Sequence, residues 1–157
     1  MKTEIRNQQK MQKVNLRVIR PFLSAMASQV VQADPNTRWK EFSLVLMDDE
    51  GISAVNRTFF GKPDATDVIS FRYAPAPEDG GRITGEVLVN VQRAHEEGLR
   101  RGQRDYELAF YIAHGFLHLT GADDATPSDR VAMHRRQDAW IQKAAQSLSL
   151  TLFTKPQ

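Results

Sequence analysis

The 157 residues contain no cysteine. Disulfides, thiolate metal sites and cysteine nucleophiles are therefore excluded, and any metal must be held by His, Asp or Glu. No apolar run approaches the length that spans a membrane, and the polar N-terminus lacks the apolar core of a signal peptide. The expectation is a cytoplasmic protein with no membrane partner. Aromatic and basic residues do not interleave along the chain in the way that reads single-stranded bases. Strong charge of one sign is missing too, for the net charge is only +2. The cations are nonetheless clustered: Lys2 to Arg20, Arg93 to Arg104, and Arg130 to Lys143 each hold several. Any one set reads as a solvated face, but three together keep a phosphate-rich partner open.

One domain over 1–157 is expected, with 1–13 a loose tail. Leu16, Ile19, Leu23, Met26 and Val30 fall at helical spacing, and Pro21 places the start of that helix near itself. Residues 41–47 read as a strand, 52–60 as a helix stopped by Gly61, 66–73 and 83–91 as two further strands, and 92–100 as a helix. Residues 105–119 form the strongest helix, apolar nearly all round and so central. Thr126 caps the last helix, whose apolar side carries Val131, Trp140, Ile141 and Ala144. Three strands, with a fourth possible in 14–18, and about five helices give an α+β class.

The central helix carries His114 and His118. Residues four apart lie on one helical face, so both imidazoles can address one point. The helix pattern breaks at Gly121, and Asp123 and Asp124 follow. Two histidines and a returning carboxylate make a three-ligand site with one position open, the arrangement of a catalytic zinc. An isolated H-x-x-x-H is more often just two helix histidines. The glycine, the paired acids and the apolar surroundings shift this one toward a metal. Gly115 stands where the H-E-x-x-H proteases have their glutamate base, so a protease mechanism is not indicated.

The run His114-Gly-Phe-Leu-His-Leu-Thr-Gly-Ala-Asp-Asp124 resembles the H-G-x-L-H-L-x-G-x-D-H signature of the YbeY family, metal-dependent endoribonucleases of bacterial rRNA maturation. Asn56 to Phe71 is similar to that family's N-x-x-Y-R-x-x-x-x-x-T-D-V-L-S-F segment, and Gly85-Glu86-Val87 resembles its G-D-I strand. The resemblance implies a zincin-like α+β fold with a small mixed sheet and one Zn²⁺ per chain. It also implies single-strand-type endoribonuclease action, phosphodiester hydrolysis by a water that the metal acidifies, with ribosomal RNA and the small ribosomal subunit as partners. It assigns the metal to His114, His118 and Asp124, the last replacing the family's third histidine. A carboxylate there also makes other divalent metals acceptable. His134 is a reserve third ligand should the last helix fold back.

A second departure is Phe60, where the resemblance implies an arginine. Arg57 and Lys62 are the nearby cations for substrate phosphate, and Arg57, Ser70 and Asp123 are the candidate catalytic groups. Asp123 can equally hold the turn after Gly121, and Glu107 reads as a structural acid. Ser70 has no His/Asp partner in motif spacing, which argues against a serine nucleophile. The endoribonuclease has two alternatives: a ribosome- or RNA-associated binding factor with weakened chemistry, and a metallohydrolase of another substrate.

Overall fold

The structure is a computed structural model that describes residues 2–154. Its elements in chain order are β1 (Lys2–Asn7), α1 (Leu16–Ala33), β2 (Trp39–Met47), α2 (Asp49–Phe60), β3 (Val68–Tyr73), a 3₁₀ turn (Pro77–Asp79), β4 (Ile83–Asn90), α3 (Val91–Arg101), α4 (Arg104–His118) and α5 (Pro127–Ala145). The strands form one mixed sheet in the order β1-β2-β4-β3. β1, β2 and β4 run parallel, and β3 is antiparallel to β4 on the outer edge.

Alternation along β2 divides the core. Phe42, Leu44 and Leu46 face the main core against α1 and α4, whereas Val45 and Met47 face a smaller cluster beneath Ile52 of α2. Period-2 alternation with both faces apolar is what a central strand needs. The chain thus has an α+β architecture, with α4 buried in its centre as its composition predicts.

Helix starts and stops follow local chemistry. Asp48 caps α2 by accepting from the Gly51 amide at 2.8 Å, and Asn90 caps α3 by accepting from Arg93 N at 3.0 Å. Thr126 caps α5 in the same way, with Pro127 in its first turn. α2 ends at Gly61, whose φ of 65° is a left-handed conformation that disfavours a side chain.

Four expectations need correction. The segment 1–13, expected to be a loose tail, contains β1, paired with β2 from Lys2↔Glu41 to Asn7↔Leu46. Its partner lies beyond α1, so no local periodicity announces it. The extra strand expected in 14–18 reduces to a single bridge between Val14 and Phe153. Pro21 does not open α1 but sits inside it, five residues past Leu16. There its ring is exposed and only the bond to the Arg17 carbonyl is forfeited. Val131 is exposed, since α5 packs through Met133, Gln137, Trp140, Ile141 and Ala144.

Candidate metal centre and cleft

α4 approaches the sheet closely at Gly115. A Cβ built there would lie 2.4 Å from Val87 Cγ1 and 3.0 Å from Val68 Cγ2. Glycine between the two histidines is therefore a packing requirement that brings the ligand-bearing turn against β3 and β4. Ser70 of β3 fastens the contact, its hydroxyl donating to the Gly115 carbonyl at 2.7 Å.

On the far side of that turn, His114 Nε2 and His118 Nε2 stand 2.9 Å apart. Asp124 Oδ2 lies 3.6 Å from the first and 3.8 Å from the second. Bonds of about 2.0–2.1 Å in a tetrahedron put donor atoms about 3.3 Å apart, so this triangle is of the size a zinc-like ion needs. Among the described residues these are the one group of three donors so gathered.

The Nδ1 atoms are engaged as metal-bound imidazoles require. His118 Nδ1 lies 3.1 Å from the Ala122 carbonyl, which accepts its proton and leaves Nε2 with a free lone pair. His114 Nδ1 meets the carboxamide of the buried Gln137 on α5. As placed, the nitrogen end faces the ring, and the oxygen end is buried without a partner. Turning the amide end for end gives Nδ1–H an acceptor and frees Nε2 for a metal. Burial, then the neighbouring His118, pushes His114 below the ordinary imidazole range, against the pull of Asp67 and Asp124. His114 is thus held neutral, the form that ligates.

The other sequence candidates fall into place around this centre. Asp123 accepts from the Ala125 amide at 3.0 Å, which holds the turn, and it is not one of the three converging donors. His134 is exposed and lies against Phe110, ring centres 4.8 Å apart; it borders a recess beside His114 without joining the donor group. Glu107 is buried and paired with Arg101 at 2.8 Å, as a structural acid. His95 is half-buried, its ring edge-on to Phe153.

A cleft of about 560 Å³ opens beside His118. Its walls include Asn56, Phe60, Lys62, Thr66, Ser70 and Arg72. Lys62 lies in the cleft wall, while Arg57 is exposed on α2 and does not line it. Arg72 is the residue that sequence reasoning missed. It lies two residues beyond Ser70, on the same side of β3, and its guanidinium donates to the Leu119 carbonyl at 2.7 Å. Period-2 spacing from Ser70 was the available signal. The loop between α2 and β3 is pinned by Asn56 Nδ2 to the Asp64 carbonyl at 2.9 Å and Arg93 to the Ala65 carbonyl at 3.1 Å.

A central helix offering two imidazoles toward a carboxylate, beneath the edge of a mixed sheet and beside an open cleft, defines a class of α+β proteins with three gathered donors that could hold a metal. The family model described as Endoribonuclease YbeY matches residues 4–145, and the chain belongs to that family. An Endoribonuclease YbeY of Bacillus mycoides is 32% identical over 125 residues, covering 74% of this chain and 80% of its own. That of Halalkalibacterium halodurans is 36% identical over 108 residues, 62% of this chain and 68% of its own. That of Myxococcus xanthus is 40% identical over 96 residues; the match takes in 59% of this chain but only 33% of the longer relative. The solution structure of TM1509 from Thermotoga maritima shares the fold, with a TM-score of 0.60 at 20% identity, over 93% of this chain and 90% of that one. Among the described residues no helix is long and apolar enough to cross a membrane.

Proposed function

We propose that the chain is a metal-dependent endoribonuclease of rRNA maturation, working on ribosomal RNA at or near the small ribosomal subunit. The observation that carries this reading is the convergence of His114, His118 and Asp124 beside a cleft containing two cations, Lys62 and Arg72. The relatives named Endoribonuclease YbeY supply the substrate class. His114, His118 and Asp124 would hold Zn²⁺, which supplies Lewis acidity and brings the pKa of water down to about 7.

The protein's own groups do the rest. Gln137 and the Ala122 carbonyl fix the two imidazoles as neutral ligands through their Nδ1 atoms. Lys62 and Arg72 hold the substrate phosphate, and Arg72 keeps donors to spare beyond its bond to Leu119. Both take over the task that the resemblance gives to an arginine at position 60. Arg57, one helical turn before Phe60, extends the positive rim. Ser70 spends its proton on the Gly115 carbonyl, so its part is to seat the ligand helix. Asp123 keeps the turn that delivers Asp124.

The test is incubation of structured rRNA with the purified protein and added Zn²⁺, beside His114→Ala, with metal content measured on both. Wild-type protein should cut the RNA and carry close to one metal per chain, and the variant should lose both properties. RNA left intact under every metal condition would overturn the nuclease reading. Stoichiometric metal with intact RNA would favour the binding-factor alternative, for which Phe60 in the cleft is the supporting observation.

A further inference from the structure

The sheet face turned away from α4 is only half covered. α2 shields Ile69, Leu88 and Val45, and past its end the face continues uncovered. Phe71 and Tyr73 of β3 lie there, one strand step apart on the same side. The end of α2 adds Phe59 and Phe60, which are 65% and 51% exposed, and Tyr73 is 47% exposed. Phe71 is half-buried among them and packs on the cluster under α2, so three exposed rings gather around a fourth at this edge of the sheet.

The rings are arranged in order. Phe60 lies parallel to Phe71, centres 6.0 Å apart and planes within 6°. Phe71 stacks on Tyr73 at 6.2 Å and 29°. Phe59 closes on Phe71 from the side at 5.2 Å and 59°. Phe60 also lines the metal-side cleft, so the row begins in that cleft and passes round the edge strand to the opposite face.

Cations border the row. Lys62 and Arg72 stand at its cleft end, and Arg57 lies one helical turn before Phe60. Glu86, opposite Phe71 on β4, accepts from the Tyr73 hydroxyl at 3.5 Å, and Arg6 pairs with its other oxygen at 2.7 Å, which offsets its charge. Aromatic faces in a row with cations alongside fit unpaired bases joined by phosphates; a duplex, its bases already stacked, offers the rings nothing.

We propose that Phe60, Phe71 and Tyr73 form a base-stacking platform that takes a single-stranded RNA segment as it leaves the metal cleft over β3. The proposal rests on the nuclease reading for its ligand class and adds how the strand is held. Phe60 thereby becomes a binding residue in its own right.

The experiment is equilibrium binding of fluorescein-labelled oligoadenylate, ten nucleotides long, in EDTA so that cleavage is silent. The comparison ligands are an abasic oligomer of the same length and an RNA duplex. Phe60→Leu should weaken oligoadenylate binding about tenfold, the loss of one stacked base. It should leave abasic and duplex binding within twofold. Phe60→Trp should keep the affinity, and its exposed indole should be quenched on adding unlabelled oligoadenylate but not the abasic strand. Tyr73→Leu should repeat the Phe60→Leu pattern, and thermal melts verify that each variant is folded. Equal binding of oligoadenylate by wild type and both leucine variants, or an unquenched indole in the Phe60→Trp variant, overturns the platform, including the case where the patch serves a protein. The two readings fail separately: absence of cleavage with base-dependent binding intact removes the nuclease, and cleavage with base-independent binding removes the platform.

Discussion

At the scale of single residues, the site depends on groups that never touch the metal donors' shared point. Gly115 is one. Gly115→Ala would drive a methyl into Val87 and Val68, and overpacking of this kind costs about 1–3 kcal/mol. Urea denaturation should show that loss, together with weaker metal binding as α4 is pushed off the sheet. An unchanged midpoint would mean the close approach is not obligatory. Gln137 is the second. Gln137→Leu fills the space but gives His114 Nδ1 no acceptor, and loss of such a partner lowers metal affinity about 10–100-fold. Metal titration by calorimetry measures this, and Gln137→Glu should restore most of the affinity. Neither residue's task was readable along the chain. His114 and His118 were, because four-residue spacing on a helix is a local rule. Gln137 is 23 residues away on another helix, and Arg72 becomes a cleft residue only when β3 is laid beside α4.

At the scale of elements, local signals located the helices and three strands because caps, glycine stops and alternation act over a few residues. They failed for β1, whose parallel partner lies across α1, and for Pro21, which the buried face of α1 carries through a helix interior. Ile19, Phe22, Leu23 and Met26 are fully buried on either side of that proline, so packing outweighs the one missing bond. Pro21→Ala would restore the bond to Arg17 at the expense of a more flexible unfolded chain. The net gain should be about 2 kcal/mol, read as a raised denaturation midpoint. An unaltered midpoint would show that the helix carries no strain there. The aromatic row is also an element-scale property. Phe59 and Phe60 are separated in sequence from Phe71 and Tyr73 by the loop that α2 and β3 close, so the chain showed no interleaving of rings and cations.

At the scale of the molecule, two histidines tie stability to pH. Burial, reinforced by Arg104, lowers His95 below its ordinary value of 6.5, and His114 is lowered likewise. The unfolded chain therefore takes up protons first as pH falls. Stability of the metal-free protein should be full above about pH 7 and decline as pH drops below 6.5. His95→Gln should flatten part of that decline in denaturation curves taken between about pH 8 and pH 5. A profile unaffected by the substitution would assign the whole slope to other groups. Bound metal should flatten the part due to His114, because a ligated imidazole resists protonation.

The bridge between Val14 and Phe153 is small, yet it sets an order of events. Asn15 N donates to the Leu152 carbonyl at 2.7 Å, and Thr154 N to the Lys13 carbonyl at 3.1 Å, so the start of α1 is buttoned to residues 152–154. Such a fastening joins segments of the greatest sequence separation and carries the highest loop-closure cost. On a ribosome, the sheet and the histidine helix can assemble while this clasp is still open. The start of α1 then gains its last protection only once residues 152–154 have come back to it.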